Sequence, residues 1–290
     1  MLELIQTLWD QMKADLHTGE MSQIHDACQT LLRGDPGPLT ELQTEDLESV
    51  DRSLAKLIER AEGEPIDWAD YSEAAHALRG PLNATIGFSR LIIKGIDGPI
   101  TEAQKEPLET IYNGSRRMLT LFNLLLDALT LVQGDMDFGL ELISVNEILG
   151  ELTTVGETLA ANHDYIFAAD VTALVAKITI QGNAKRLKQV LLALLAVSAK
   201  YLGGDVLTLR VRTTDDKLLI QLENQGCQPS SLLPDDPSRL LTNEAPTAIL
   251  YDIHLRLGLA WHMLNGMKGR LEIHRAGETC TFSVTVPLAQ

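Results

Sequence analysis

TEAQKEPLETIYNGSRRMLTLFNLLLDALTLV, residues 101–132, is the stretch that decides how this chain folds. Thr101 and Gln104 have the spacing of a capping box, in which two side chains satisfy the first free N–H groups of a helix. From there Leu108, Ile111, Ser115, Met118, Phe122, Leu125, Leu129 and Val132 follow one another in steps of three and four, the heptad pattern of a bundle seam. Upstream, Leu78, Leu82, Thr85, Ser89 and Ile92 form the inner face of a helix over about residues 68–94, which Asp67 is placed to cap. Gly95-Ile96-Asp97-Gly98-Pro99 is the turn between the two helices. A pair of helices with one apolar stripe each cannot enclose a core. The spacing therefore predicts an antiparallel hairpin completed to a dimeric four-helix bundle by a second copy of the chain.

On the N-terminal side, residues 1–66 read as helical with a break at Gly34-Asp35-Pro36-Gly37-Pro38. Leu2, Ile5, Leu8 and Trp9 make one apolar stripe, and Leu47, Val50, Leu54, Leu57 and Ile58 another. Fourteen acids against five bases make this region strongly acidic. It carries no catalytic motif and reads as a small docking or dimer-supporting segment. On the C-terminal side, Gly134 to Gly139 reads as a linker, after which helices over 146–161, 184–202 and 248–266 mix with strands over 206–211, 218–222 and 271–274. The last strand alternates Cys280, Phe282, Val284 and Val286 with Thr281, Ser283 and Thr285. The expected class is α+β, with three regions: residues 1–66, an acidic helical region; 67–139, the hairpin with its linker; and 140–290, a two-layer α/β sandwich on an antiparallel or mixed sheet.

Composition narrows the function classes. A chain of 290 residues with net charge −16 lacks the clustered Lys and Arg that non-specific nucleic-acid binding needs, and it is repelled by anionic membranes. No apolar run reaches the ~20 residues of a membrane span, and Met1-Leu2-Glu3 does not open a signal peptide. Three widely spaced cysteines, Cys28, Cys227 and Cys280, form neither a disulfide framework nor a zinc site. The expectation is a soluble, cytoplasmic protein.

Within the hairpin stands His76-Ala77-Leu78-Arg79-Gly80-Pro81-Leu82-Asn83. Helical spacing puts His76, Arg79 and Gly80 on one face. An imidazole can carry a phosphoryl group, a guanidinium can pair with its charge, and a glycine leaves a partner room to approach. A lone helical histidine is more often inert, and Ala77 supplies no adjacent carboxylate to act as base. The surroundings of His76 are what single it out.

Those surroundings resemble the core of the sensor histidine kinases. His76 to Asn83 resembles the phosphoacceptor box HE(L/I)RTPLN of that family, and Gly98-Pro99-Ile100-Thr101 its hairpin turn. Leu187-Lys188-Gln189-Val190-Leu191-Leu192 resembles the helix that opens the nucleotide site, Leu257-Gly258-Leu259-Ala260 the last glycine box, and Gly269-Arg270-Leu271 the strand beyond it. The resemblance covers roughly three quarters of the chain and keeps the family's linear order. It implies a dimerisation and phosphoacceptor hairpin followed by a domain of the histidine-kinase ATPase type.

The departures bear on activity. In the family, the residue after the histidine is the acid that serves as base for attack on ATP; here it is Ala77. The Thr or Asn that helps position water for phosphatase action is replaced by Gly80. The family's magnesium-binding asparagine aligns with Ala193 or Val197, neither of which has the oxygen that magnesium requires. The adenine-reading Asp is Asn224, followed by Gly226 and then by Gln228 where a glycine is usual. Of the phosphate-binding glycines only Gly258 remains, with His254 and Arg256 in the phosphate path. The lid between Gln228 and His254 is punctuated by prolines and holds no lysine or glycine.

The degenerate nucleotide site near Asn224, Gly226 and Gly258 implies no bound cofactor and no metal on this chain, with magnesium supplied by a partner. His76-x-Leu78-Arg79-Gly80 also has the HxL(K/R)G pattern of monomeric phosphotransfer domains. A kinase-like scaffold with such a motif resembles dimeric histidine phosphotransferases of the ChpT type. The first expectation is therefore a phosphorelay protein that passes phosphate between receiver-domain aspartates through His76, with Arg79, Gly80 and Asn83 around it. Its expected partners are response-regulator receivers, a hybrid histidine kinase and a second copy of itself. The alternatives are an inactive pseudokinase scaffold and an active sensor kinase with an atypical nucleotide site.

Overall fold

The computed structural model describes residues 6, 9–10, 19–62, 71–163, 165–171, 178–214, 216–227, 233 and 248–289. The Asp67 cap, the stripe of Leu2, Ile5 and Leu8, and most of the lid lie outside the described residues. The chain divides into two compact units, Met1–Asp135 and Met136–Gln290.

The first unit is a four-helix bundle made within one chain. Its helices are α1 (Glu20–Leu32), α2 (Glu41–Glu62), α3 (Tyr71–Ile93) and α4 (Glu102–Gln133). Helices α1 and α2 form one hairpin and α3 and α4 a second; α1 packs on α4 and α2 on α3. The α4 ladder is buried as its spacing requires, from Leu108 to Leu129, and Leu78, Leu82, Thr85, Ser89 and Ile92 of α3 face it. The capping box of Thr101 and Gln104 is formed, and Gly134 ends α4 in the left-handed conformation.

The other half of the core comes from the acidic N-terminal region, because that region repeats the hairpin. Leu31-Leu32-Arg33-Gly34-Asp35-Pro36-Gly37-Pro38-Leu39-Thr40-Glu41-Leu42-Gln43 returns as Ile92-Ile93-Lys94-Gly95-Ile96-Asp97-Gly98-Pro99-Ile100-Thr101-Glu102-Ala103-Gln104, 61 residues on. Gly34 and Gly95 have φ of 76° and 68°, and Gly37 and Gly98 have φ of 122° and 115°, a left-handed pair in each turn that side chains rarely tolerate. Burial follows the same offset. Met21, Ile24, Cys28 and Leu31 answer Leu82, Thr85, Ser89 and Ile92, while Gln43, Leu47, Val50, Leu54 and Leu57 answer Gln104, Leu108, Ile111, Ser115 and Met118. A complete apolar set from each repeat closes the core; each fully buried leucine contributes about 2 kcal/mol to it. Trp9 packs on Phe122 with ring centroids 6.0 Å apart.

The second unit is a two-layer sandwich. A five-stranded sheet runs in the order β2 (Ile166–Val171), β4 (Val206–Thr214), β5 (Lys217–Gln225), β7 (Thr279–Pro287), β6 (Arg270–Ala276). Only the β2–β4 pair is parallel. A small antiparallel pair, β1 (Glu141–Ser144) with β3 (Thr179–Gly182), was not legible beforehand. Helices α5 (Val145–His163), α6 (Ala184–Val197) and α7 (Ala248–Gly266) complete the unit. Register sets Leu209, Leu222, Phe282 and Ile273 side by side across the sheet, and alternate residues of β5 and β7 are buried. The expected helix over 184–202 ends its α-helical part at Val197 and finishes in a π-helical turn, Ser198–Leu202. The α+β class and the hairpin-then-sandwich order match the sequence reading.

Candidate phosphoacceptor and nucleotide-like sites

His76 is exposed on α3, one residue after the buried Ala75 and two before the buried Leu78. It lines an open depression of about 400 Å³ together with Ala77, Gly80, Pro81 and Ala84 of α3 and Ser53, Lys56 and Arg60 of α2. Gly80 is exposed, and a methyl group there would touch nothing within 4 Å. Asn83 is also exposed. The structure thus brings His76 and Gly80 together.

Arg79 is placed differently from its expected role. Its Nε donates to Asn123 Oδ1 on α4 at 2.7 Å, so the guanidinium bridges α3 to α4. It does not line the depression. The cations beside His76 are Lys56 and Arg60, and Arg60 pairs with Glu73 at 3.2 Å. Reading α3 alone could not find them; the 61-residue repeat was the available signal, since it places α2 against α3. No hydrogen bond orients the His76 ring among the described residues. A second open groove, about 680 Å³ and lined by Ala84, Phe88, Leu91 and Ile96, continues along α3 toward the turn. Ala84 belongs to both.

In the second unit, the described part of the nucleotide-like site is the cleft around Asn224. Asn224 is buried on β5, and its Nδ2 donates to the carbonyls of Ser198 at 3.1 Å and Gly203 at 3.3 Å. The cleft between Asn224, Tyr165, Ser198 and Leu207 has no room even for a water molecule. Ala193 is half-buried and Val197 fully buried, offering magnesium only hydrocarbon. Among the described residues no cluster of His, Cys, Asp or Glu is arranged to hold a metal.

The glycine-box segment is helical. His254, Arg256 and Gly258 lie inside α7, so their N–H groups belong to the helix interior and are not presented to a phosphate. Arg256 Nε donates to Asp252 Oδ1 at 2.7 Å within that helix, and both side chains are nearly buried. Tyr201 donates its hydroxyl to the same Asp252, and Lys200 stands 3.7 Å from it. This network ties α7 to the π-helical turn; burial, with the hydrogen bond to Asp252 and its charge, pushes the Tyr201 hydroxyl above its ordinary value, against the opposing charge of Arg256. Burial lowers the His254 imidazole, which favours its neutral form. Gly226, at φ 76°, sits tight against Asp205, where a Cβ would meet Oδ2 at 2.9 Å. Among the described residues, Ala193 and Val197 offer magnesium no oxygen, and the segment from His254 to Gly258 offers a phosphate no free N–H group.

Comparison with known proteins agrees with this two-part organisation. Residues 72–133 match the His Kinase A (phospho-acceptor) domain. The chain is 27% identical over 154 residues to the circadian input-output histidine kinase CikA of Thermosynechococcus vestitus, covering 52% of this chain and 21% of that protein. It is 30% identical over 174 residues to the cell-division control histidine kinase PdhS of Brucella suis, covering 59% of this chain and 16% of that protein. The chain therefore spans about a fifth of the length of these curated relatives. Among solved structures, full-length ShkA in complex with AMPPNP shares the fold with a TM-score of 0.58 at 19% identity, over 78% of this chain and 47% of that one. No described helix is long and apolar enough to cross a membrane. Sequence match and fold together give this chain a His Kinase A phosphoacceptor domain over residues 72–133, followed by a sheet-based domain of ATPase-like fold.

Proposed function

We propose that this chain is a histidine phosphotransferase that passes phosphate between the aspartates of receiver domains through His76. One observation carries the reading: His76 lies open in a depression while the nucleotide-like cleft is closed by Asn224. A receiver brings its own aspartate and magnesium, so the histidine side need only present an imidazole at the right depth, with positioning and charge stabilisation supplying the catalysis. In the forward step an imidazole nitrogen attacks phosphorus and the receiver's carboxylate leaves with the bonding pair. The return step reverses this on a second receiver. The open groove of Phe88, Leu91 and Ile96 beside Ala84 supports docking on the same face of α3. In this architecture and logic the chain resembles phosphotransferases of the ChpT type.

A second reading, a pseudokinase scaffold that binds a kinase or regulator without chemistry, is favoured by one feature. Neither an acid at position 77 nor a hydrogen bond among the described residues orients the His76 ring. Incubation with ³²P-phosphorylated receivers and, separately, with γ-³²P-ATP and magnesium separates the readings. Acid-labile label from a receiver but not from ATP, absent in His76→Ala, is the expected result. Label from ATP would instead mean an autokinase, and label from neither would favour the scaffold.

A further inference from the structure

The two hairpins of the bundle repeat each other at an offset of 61 residues and exchange reciprocal contacts at their turns, but the two outer faces that correspond have diverged. On the α2/α3 face stand Lys56, His76 and Pro81. Sixty-one residues away, their equivalents are Arg117, Asp15 and Glu20, of which Asp15 lies outside the described residues. Arg117 is ion-paired with Glu20, so that face neutralises its own cation. Pro81 replaces the acid on the first face, and Lys56 has no ion pair there among the described residues. The apolar groove diverges in the same direction. Phe88, Leu91 and Ile96 correspond to Ala27, Thr30 and Asp35, which replace three large apolar side chains by one small, one hydroxylated and one charged.

The interface between the hairpins is also complete. Gln43, Leu47, Val50, Leu54 and Leu57 of α2 are buried, as are Met21, Ile24, Cys28 and Leu31 of α1. Gly114 of α4 lies so close to α1 that a Cβ would meet the Ile24 side chain at 2.7 Å. A second copy of α3 and α4 would have to displace this packing.

We propose that the chain is its own dimer: residues 19–62 take the place of a second protomer's hairpin, leaving a monomer with one phosphoryl-accepting face. On that face Lys56 of the first repeat positions the incoming phosphoryl group for His76 of the second. This departs from the homodimer expected from the sequence. The part played by His76 rests on the phosphotransfer reading; the monomer and the single cationic face do not.

Two measurements on the full 290-residue chain test this. Light scattering across a concentration series is expected to give one mass near 31.8 kDa; a mass twice that would overturn the self-dimer. Phosphoramidate, a small phosphoryl donor, tests the face without any receiver: imidazole nitrogen bonds to phosphorus and ammonia leaves. His76 is expected to be labelled, read by peptide mass spectrometry. Lys56→Glu should slow that labelling about fivefold, the scale of one surface charge interaction. Lys56→Arg should restore it, and Arg117→Gln on the opposite face should leave it unchanged. Failure to label His76, or equal rates in Lys56→Glu and wild type, would overturn the single-face assignment. Labelling by phosphoramidate but by no receiver would retire the relay reading and leave this one standing.

Discussion

The side-chain amide of Gln43 donates to the carbonyl of Gly98 at 3.1 Å, across 55 residues of chain. It also reaches Pro99 O at 3.3 Å, and Gln104 returns both bonds, to Gly37 O at 3.4 Å and Pro38 O at 3.0 Å. Each glutamine caps its own helix as well, through Thr40 N and Thr101 N. Thr40 Oγ1 adds a bond to Asp97 O at 2.7 Å and Thr101 Oγ1 one to Pro36 O at 3.4 Å. The two turns interlock reciprocally, as two protomers would.

That reciprocity predicts matched costs. Gln43→Ala and Gln104→Ala should each destabilise the bundle by about 1–2 kcal/mol, because each removes two hydrogen bonds to the opposite turn and the side-chain cap on one N-terminal N–H group. Urea denaturation of the two variants checks it. A large loss for one and none for the other would show that the symmetry is geometric but not energetic.

Gly80 stands in mid-helix at a point where a methyl group would meet nothing. Gly80→Ala should therefore stabilise α3 by up to about 1 kcal/mol through helix propensity. Receiver-dependent labelling of His76 should fall at the same time, since the added methyl narrows the approach. Thermal melts and transfer rates on the same samples decide it; unchanged transfer would remove Gly80 from the site.

Asn224→Asp restores the family's acid at the adenine position, yet it should not restore nucleotide binding. The Asn224 amide donates to two carbonyls, and a carboxylate there would face both oxygens without a proton to give. The expected cost is about 2–4 kcal/mol. Thermal melts with and without magnesium and ATP check both halves, and a nucleotide-dependent rise in Tm would contradict them.

Asp46 and Asp97 bring two carboxyls together where the turns meet. Partial burial, a shared hydrogen bond and the Asp97 charge push Asp46 up to about 6 from an ordinary 3.8. A folded-state value above the unfolded one means the folded chain binds the extra proton, so this contribution grows as pH falls from 7 through 6 and is complete below about 4. Asp46→Asn should raise stability at neutral pH by roughly 0.5–1 kcal/mol, kept small by solvent screening. It should also flatten the pH dependence between 7 and 5. Equal slopes for variant and wild type would show that the pair is not the source.

Much of this was written in local spacing. The three-four ladder from Leu108 to Val132, the Thr101–Gln104 box and the alternation from Cys280 to Val286 each name one element, because helix and strand periods are properties of neighbouring residues. His76 and the missing oxygens at Ala193 and Val197 were equally legible, since a residue type limits its own chemistry. Tertiary structure decided what each face meets. A buried stripe is the same whether a second chain or the same chain covers it, so periodicity could not say that residues 19–62 close the bundle. Arg79 looked like a partner for His76 on a lone helix, but in the bundle its Nε donates to Asn123 on α4. Lys56, 20 residues upstream of His76 and on another helix, became its neighbour only through the packing of α2 on α3.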